Sequence, residues 1–313
     1  DHLTRGNLRL DSVKTLVLDE ADRMLDMGFY DDMKQLIAQC PTQRQTLLFS
    51  ATYPEGIAKL SAQFMRDPQT VKVQTVHAAD KIRQVFYEVR EDERLHAVSL
   101  LLNHFRPEST LAFCNTKQQC RELLAVLQAQ GFDALALYGE LEQRERDQVL
   151  VQFANRSCSV LVATDVASRG LDISQLNAVI NVDVTPDAEI HIHRIGRTGR
   201  ADAQGLALTL ASLDEMGAVG RIELLQNMES HWVKLDTLTP TPGGRLMAPM
   251  RTLQIVGGRK EKIRPGDVLG ALTGEAGFSA AQIGKITVNE FSTYVAVDRS
   301  IAAEAVERLS KGR

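Results

Sequence analysis

The sequence predicts an α/β protein with two parallel-sheet domains, followed by a small α+β module. Short apolar runs, typical of buried strands, alternate with amphipathic stretches from the start of the chain. A polar segment from Gln74 to Lys81 interrupts this alternation, which then restarts. Near the carboxyl end the order changes to βαββα, behind a segment rich in proline and glycine. Strand–helix alternation predicts mainly parallel sheets that are covered on both faces.

Length and composition agree with a folded protein of several domains. The chain has 313 residues, which predicts two or three domains. Hydrophobic residues make up 44% and charged residues 24%, so a large core is expected and disorder is not. No apolar run approaches the roughly 18 residues of a membrane span. The first residues, Asp1 to Arg5, do not resemble a signal peptide or a natural start, because Met is absent.

The four cysteines are scattered and form no CxxC pair, so a zinc site is not expected. In a chain of this size they are typical of reduced thiols, and we expect a cytoplasmic protein.

The first domain is predicted to span residues 1–76. Apolar strands are predicted at Thr15–Leu18 and Gln45–Phe49, and a helix is predicted from Pro54 to Phe64, with proline in its first turn. We interpret this region as the carboxyl part of an incomplete domain.

A complete second domain is predicted over residues 77–238. Two helices are predicted at Lys117–Gln130 and Gln143–Ala154. Six apolar runs are predicted as strands: Val85–Val89, Thr110–Cys114, Ala134–Tyr138, Val160–Ala163, Ala178–Val182 and Leu206–Leu210. Functional loops are expected at the carboxyl ends of such strands.

Residues 239–248 are predicted to be a linker, and residues 249–313 a small α+β domain. Strands are predicted at Met250–Val256, Gly284–Val288 and Thr293–Val297, with helices beginning near Pro265 and at Ile301. This order is typical of an RRM-like fold that lacks its last strand. Residues 245–313 hold 11 Lys/Arg against 7 Asp/Glu, a net charge of +4, whereas the rest of the chain carries −8. A basic tail on an acidic body favours a polyanionic partner for the tail.

The run Asp-Glu-Ala-Asp directly follows the predicted strand Leu16-Val17-Leu18. A carboxylate at the end of a buried strand is where an NTPase holds Mg²⁺, usually through water. Asp19 can serve that purpose, and Glu20 can orient or deprotonate an attacking water. The alternative is an ordinary acidic loop after a strand. Ser50-Ala-Thr52, thirty residues later, also ends a predicted strand.

The run His193-Arg-Ile-Gly-Arg-Thr-Gly-Arg200 places three arginines within seven residues. Arginines separated by small residues can converge on a phosphate, because each guanidinium offers a planar fork of donors. Such residues act as arginine fingers in phosphoryl transfer. The alternative is a solvated basic loop or a cluster of salt bridges.

Three further segments are weaker signals. Thr164 and Asp165 end a predicted strand in a run that continues to Asp172, Asn115 and Thr116 end another, and Gly139 precedes a predicted helix. Their donors can meet phosphates. Turns and helix caps are the alternatives.

With DEAD, SAT, FCNT, QRER, ATDVASRGLD and HRIGRTGR in this order, residues 1–230 resemble the DEAD-box RNA helicases. The resemblance implies two RecA-like domains that close on ATP and single-stranded RNA. It implies that Asp19 holds Mg²⁺ through water and that Glu20 positions the water. It also implies that Asp22, Ser50 and Thr52 couple hydrolysis to strand separation.

The resemblance extends to the second domain. It implies that Asp172 contacts the ribose, that Arg197 and Arg200 are arginine fingers, and that His193 links their loop to the DEAD and SAT loops. It further implies contacts with RNA by Asn115, Thr116, Gly139, Arg146 and Thr164.

The tail, with RPGDVLGALTG from Arg264 and IGKI from Ile283, is similar to the RNA-binding domain of the DbpA subfamily. That similarity implies action on 23S ribosomal RNA and pre-50S particles in ribosome assembly. Of the aromatic residues expected on a base-stacking RRM strand, only Tyr294 is present. RNA recognition is therefore expected from the loop residues Arg259, Lys260 and Lys262.

The sequence thus predicts an ATP- and Mg²⁺-dependent RNA helicase that unwinds short duplexes as a monomer, without a membrane. No GxxxxGK[ST] loop is found in the 313 residues, so this fragment alone is expected to be inactive. Two alternatives are a non-enzymatic RNA-annealing protein on a helicase fold and a motor that acts on DNA.

Overall fold

The structure, a computed structural model, describes residues 2–26, 28–50, 55–71, 81–168, 173, 176–199, 204–243 and 245–311. The chain divides into two compact units, an N-terminal unit of residues 1–74 and a C-terminal unit of residues 75–313. Among the described residues no helix is long and apolar enough to cross a membrane.

The N-terminal unit is built around a pair of parallel strands. Strands β1 (Thr15–Leu18) and β2 (Gln45–Leu48) pair in register, Thr15 opposite Gln45. Three helices accompany them: α1 (Ala21–Asp26), α2 (Tyr30–Ala38) and α3 (Glu55–Phe64). The buried core gathers apolar side chains from both strands and all three helices, including Leu18, Met33, Ile57 and Leu60.

The C-terminal unit contains a seven-stranded sheet, parallel throughout, in the order β5-β6-β4-β7-β8-β3-β9. Its strands are β3 (Ile82–Glu88), β4 (Thr110–Phe113), β5 (Ala134–Leu137), β6 (Val160–Ala163), β7 (Ala178–Asn181), β8 (Gly205–Ala211) and β9 (Trp232–Val233). Its helices are α4 (Arg94–Phe105), α5 (Lys117–Ala129), α6 (Gln143–Ala154), α7 (Asp165–Ser168), α8 (Ala188–Ile195) and α9 (Met216–Gln226).

Strands β4, β6 and β7 are buried along their whole length, as expected where helices cover both faces of a parallel sheet. Two separate apolar clusters lie on the faces: Leu101, Leu123 and Leu127 belong to one, and Leu161 and Val179 to the other. The two-layer covering of a parallel sheet confirms the α/β fold class, and its functional edge is where the strands end.

The remaining elements form the tail module, residues 250–311. Strands β10 (Met250–Val256), β11 (Ile283–Val288) and β12 (Ser292–Asp298) make an antiparallel sheet in the order β10-β12-β11. Helices α10 (Pro265–Gly270) and α11 (Ala302–Lys311) accompany them. Val295 and Val297 point into the module's own core, so Tyr294 and Ala296 lie on the opposite face of the sheet.

The tail module is docked on the second parallel-sheet domain within the C-terminal unit. The Asp133 carboxylate accepts from Arg299 Nη1 at 2.7 Å and from the Ala248 backbone N–H at 2.9 Å, and it pairs with Arg251 at 3.3 Å. Thr252 Oγ1 lies 3.1 Å from Asn155 Nδ2 and 2.7 Å from Ser157 Oγ. These contacts join the beginning of β10 to the carboxyl end of α6.

The predicted linker also contacts this domain. Thr241 N–H donates to Asn103 O at 3.0 Å, the Thr239 carbonyl lies 2.8 Å from His104 Nδ1, and Leu246 is 7% exposed in the domain's core. Proline and glycine in this segment therefore shape a path along the end of α4.

Candidate functional site

In the N-terminal unit the Asp-Glu-Ala-Asp loop is tied to the end of the neighbouring strand. Phe49 N–H donates to Leu18 O at 2.8 Å, and Ala21 N–H donates to Phe49 O at 3.1 Å. Asp22 is buried, and its backbone N–H lies 3.3 Å from Ser50 Oγ. A displacement of Ser50 would therefore move the acidic loop through these hydrogen bonds. This link is consistent with the predicted coupling of hydrolysis to strand separation.

The first two carboxylates of that loop are exposed. Glu20 has φ +51°, a left-handed conformation that costs energy outside glycine, and its N–H donates to Asp19 Oδ1 at 2.9 Å. The bend turns both side chains toward solvent. A hard carboxylate oxygen held open to water fits Mg²⁺, which retains several water ligands.

In the C-terminal unit, residues at the ends of β4, β6 and β7 meet around Arg194. Asn115 follows β4, Asp165 follows β6, and Asp183 follows β7. Because these strands are parallel neighbours, their carboxyl ends lie on one edge of the sheet. Arg194 enters this edge from α8 and is 1% exposed.

All three guanidinium nitrogens of Arg194 donate hydrogen bonds. Nε and Nη2 donate to the two oxygens of Asp165 at 2.8 and 2.7 Å, Nη1 donates to Asp183 O at 2.8 Å, and Nη2 also donates to Asn115 Oδ1 at 2.8 Å. The group lies 5.1 Å from the Phe113 ring centroid. The bidentate pair with Asp165 and the two further bonds compensate the buried charge of Arg194. They also hold the loops after β4, β6 and β7 in fixed positions relative to one another.

Asp183 forms a second buried centre beside it. Its carboxylate accepts from the Asn115 backbone N–H at 2.8 Å and from Gln119 Nε2 at 2.7 Å, and it lies 3.5 Å from Arg94. Burial raises the pKa of Asp183 above its usual value and outweighs these partners, which lower it. Burial lowers the pKa of Arg94, but Glu215, together with Asp183 and Glu91, outweighs that effect and raises the pKa overall. Arg94 is therefore cationic and braces the loops after β7 and β8.

His193 and Arg197 flank Arg194, and both are half-buried. His193 lies in the last turn of α8, and Arg197 follows the helix, with its backbone carbonyl accepting from Leu176 N–H at 3.2 Å. Gly199 has φ +71°, and a Cβ there would lie 2.6 Å from Ile82. Glycine is thus required for the loop to pass the start of β3.

The weaker sequence signals fall along the same edge. Thr116 caps α5, with Oγ1 accepting from Gln119 N–H at 3.2 Å, and Thr164 Oγ1 accepts from Ala167 N–H at 3.4 Å. Gly139 is exposed with open space around it, and Arg146 donates to Ala167 O. The caps account for the two hydroxyls locally and leave Gly139 exposed at this edge of the sheet.

In the tail module, Arg259, Lys260 and Lys262 are exposed on a turn after β10. Lys260 Nζ donates to Glu290 at 3.0 Å and lies 4.2 Å from the Phe291 ring centroid. Lys262 has φ +63°. Thr52, Asp172 and Arg200 lie outside the described residues.

Comparison with known proteins matches three family models. The DEAD/DEAH box helicase model matches residues 1–60, the helicase conserved C-terminal domain matches residues 93–202, and the DbpA RNA binding domain matches residues 252–313. The chain is 47% identical over 316 residues to the ATP-dependent RNA helicase DbpA of Escherichia coli, with 100% of this chain and 68% of that protein covered. The chain belongs to the DEAD-box family of ATP-dependent RNA helicases. Within the family it has the RNA-binding domain of the DbpA branch.

Other relatives agree. The DEAD-box ATP-dependent RNA helicase CshA of Geobacillus kaustophilus is 42% identical over 239 residues, which cover 76% of this chain and 51% of that protein. The solved structure of S. cerevisiae Dbp5 bound to RNA and ADP BeF3 superposes with a TM-score of 0.68 at 28% identity, covering 75% of this chain and 63% of that one. The chain therefore spans half to two thirds of the length of these helicases.

The structure corrects the predicted phosphate contact for one of the three arginines and adds a residue that no motif contains. Arg194 stands inside the predicted arginine run, but it is buried and holds Asp165. Asp183, at the end of β7, carried no motif at all, and only its place after an apolar strand could have indicated it. These residues shape the DEAD-box site from beneath its exposed groups.

Proposed function

We propose that this chain is the larger part of an ATP-dependent RNA helicase that unwinds short RNA duplexes. The observation that carries the proposal is the Arg194 network, which binds the loops after β4, β6 and β7 into one rigid edge. A rigid edge lets the residues exposed on these loops grip RNA and respond to nucleotide as a unit.

The proposal gives each motif a task. Asp19 would hold Mg²⁺ through water, and Glu20 would orient the water that attacks the terminal phosphate. When both are bound, ATP would supply the bond that is broken, and Mg²⁺ would neutralise part of the phosphate charge. Arg197 and Arg200 would stabilise transition-state charge, His193 would position their loop, and Asp172 would contact the ribose.

The remaining predicted residues grip the RNA strand or relay hydrolysis to it. Asn115, Thr116, Gly139, Arg146 and Thr164 would hold RNA phosphates, while Asp22, Ser50 and Thr52 would couple hydrolysis to strand separation. The phosphate-binding loop expected of an NTPase is not among the 313 residues. Experiments on turnover therefore use the full-length protein, and the present fragment should hydrolyse ATP poorly.

Glu20→Gln in the full-length protein tests the catalytic part of this proposal. Turnover of ATP in saturating RNA should stop, while binding of ATP and RNA persists, because the charge that positions water is lost and Asp19 remains. The matched control is Glu229→Gln, which changes an exposed glutamate on the surface of the C-terminal unit. Wild-type turnover in Glu20→Gln would refute the role given to Glu20.

We further propose that the tail module selects 23S ribosomal RNA on pre-50S particles, in a cytoplasmic, monomeric protein. DEAD-box motifs that touch backbone phosphates carry no sequence information, so selection has to come from elsewhere. The net charge of +4 over residues 245–313 supports RNA contact, although Arg251 and Arg299 already pair with Asp133. The four buried cysteines, all free thiols, support a reducing compartment.

Truncation after Pro249 tests the selection by the tail. This end point retains Leu246, whose side chain fills the core of the second domain, and the Ala248 N–H bond to Asp133. The preference of RNA-stimulated ATPase for ribosomal over unrelated RNA should vanish, while weak general stimulation persists. An unchanged preference would place selection in the motor domains instead.

A further inference from the structure

Docking of the tail module leaves a groove between the module and helix α6. Its volume is about 860 Å³, room for one or two nucleotides by comparison with drug-sized sites of roughly 300–1,000 Å³. Gln143, Arg144 and Asp147 line one wall, from α6. Val256, Arg259 and Phe291 line the other, from the tail module.

The groove is held at one end and opens at the other. Thr252 and Met250, at the beginning of β10, bond to residues 155–157 just beyond α6. Val256 and Gln143 lie at the far ends of β10 and α6, so the mouth is at the amino end of α6. That end carries Gly139 and Arg146, which the motor is proposed to use for RNA phosphates.

Two arginines, Arg144 and Arg259, and two carboxylates, Asp147 and Glu290, line the groove, but the carboxylates have partners and the arginines are open to a ligand. Lys260 Nζ forms an ion pair with Glu290 at 3.0 Å, and Asp147 accepts a hydrogen bond from the neutral Gln143 Nε2 at 2.7 Å. Within the described part of the chain, the guanidinium groups of Arg144 and Arg259 have neither a hydrogen bond nor an ion pair. Two unpaired guanidinium groups on facing walls suit phosphate oxygens.

Phe291 adds an aromatic surface between them. Its side chain is 59% exposed, and Lys260 Nζ lies 4.2 Å from the ring centroid. Phe291 O accepts from Gly257 N–H at 3.2 Å, and Asn289 O accepts from Arg259 N–H at 2.8 Å. A Cβ on Gly258 would lie 2.3 Å from Asn289 O, so the two turns are in close backbone contact. The aromatic ring and Arg259 are therefore preorganised on one rigid support.

We propose that this groove binds a single strand of RNA that leaves the motor at the amino end of α6. A base stacks on Phe291, and the flanking phosphates contact Arg144 and Arg259. Tyr294, which lies on the outer sheet face, is only 8% exposed, so the aromatic surface is displaced from the sheet to the β11–β12 turn. The inference rests on the proposed function, because it extends the same RNA path from the motor to the tail module.

The test is the affinity of the 313-residue chain for a labelled single-stranded oligouridine, measured by fluorescence anisotropy over a range of salt concentrations. Phe291→Ala should weaken binding about tenfold at each salt concentration, because stacking on an aromatic ring is lost. Arg144→Ala and Arg259→Ala should each reduce the slope of log affinity against log salt by about 0.7. The matched control Leu224→Ala, on exposed α9, should bind as wild type does.

Conservative variants separate stacking from folding. Phe291→Trp should bind at least as tightly as wild type, whereas Phe291→Leu should bind as weakly as Phe291→Ala. Wild-type affinity and salt slope in Phe291→Ala, Arg144→Ala and Arg259→Ala would overturn the groove and leave the helicase proposal intact. Absence of RNA binding by the wild-type chain would overturn both.

Discussion

Arg194 and Asp133 each hold several partners in the C-terminal unit, but at different depths. Arg194 is 1% exposed and joins loops within one domain, whereas Asp133 is 15% exposed and joins the tail module to that domain. A buried charge is costly to leave unpaired, while a partly solvated one loses much of its attraction to screening. The comparison indicates a rigid motor edge and a softer, salt-sensitive docking of the tail.

Removing Arg194 should have the largest effect on stability. Arg194→Ala leaves Asp165 without its bidentate partner, and we expect a loss of about 3–5 kcal/mol in the free energy of unfolding. Arg194→Lys should rescue little, since an ammonium cannot reproduce four directed bonds. Chemical denaturation measures both, with Arg221→Ala as control because that exposed side chain contacts only the Pro186 carbonyl among its described partners. A loss below about 1 kcal/mol in the free energy of unfolding would contradict the claim that burial makes the Arg194 contacts the more important ones.

Arg197, three residues further, should behave in the opposite way. In the full-length protein Arg197→Ala should lower RNA-stimulated turnover by about 10³-fold, as loss of an arginine finger does. Its midpoint of denaturation should fall by less than that of Arg194→Ala, because Arg197 is half-buried and Arg194 is fully buried. Arg197→Lys distinguishes an arginine finger from a general positive charge. If lysine restores most of the activity, the loop acts only as an electrostatic patch.

Acid should weaken the buried edge through His191. Burial, with help from Arg194, lowers the pKa of His191 to about 3, below its usual 6.5, so the unfolded state binds the proton first. Above pH 7 His191 is neutral in both the folded and the unfolded state and has no effect on stability through protonation. The free energy of unfolding then falls as the pH drops through 6.5 toward 3. Between pH 7 and 5 the stability advantage of wild type over His191→Gln should shrink by about 2 kcal/mol. A constant difference would show that the pKa of His191 is not lowered in the fold.

The Asp133 contacts should give a smaller effect. Asp133→Ala should lower stability by about 1 kcal/mol and loosen the tail, because its partners are partly solvated. Energy transfer between dyes on α5 and α11 should fall in the variant and, in wild type, with rising salt. Asp214→Asn is the exposed control. If energy transfer responds neither to Asp133→Ala nor to rising salt, the tail module is docked as rigidly as the edge around Arg194 is held.

The exposed pairs of Glu140 with Lys117 and Arg121 should contribute least. Solvent screens such pairs, so Glu140→Gln should not shift the melting temperature measurably. A clear shift in melting temperature would mean that burial does not determine how much each ion pair contributes to stability.

The sequence predicted the parallel strands well, because apolar runs such as Val160–Ala163 are bounded by polar residues and buried on both faces. Helix α8 was not predicted, since it has only eight residues and its buried face carries His191 and Arg194 in place of apolar side chains. The two-residue β9 was too short for any pattern. Docking through Asp133 joins residues 166 positions apart, which no local pattern reveals.

The motifs located the candidate site, but not its architecture. Exposed residues such as Glu20 could be predicted as candidates because the motif spelling names them. The buried support was missed because Asp183 and Arg94 belong to no short pattern and meet only in the folded sheet.

The most direct test of the account is strand displacement by the full-length protein from a short RNA duplex beside ribosomal RNA, compared with a DNA duplex of the same sequence. We predict that displacement of the RNA strand requires ATP, disappears in Glu20→Gln and is much weaker for the DNA duplex. Displacement without ATP would indicate an annealing protein, and equal displacement of DNA would indicate a DNA motor. Either result would contradict the assignment as an RNA helicase.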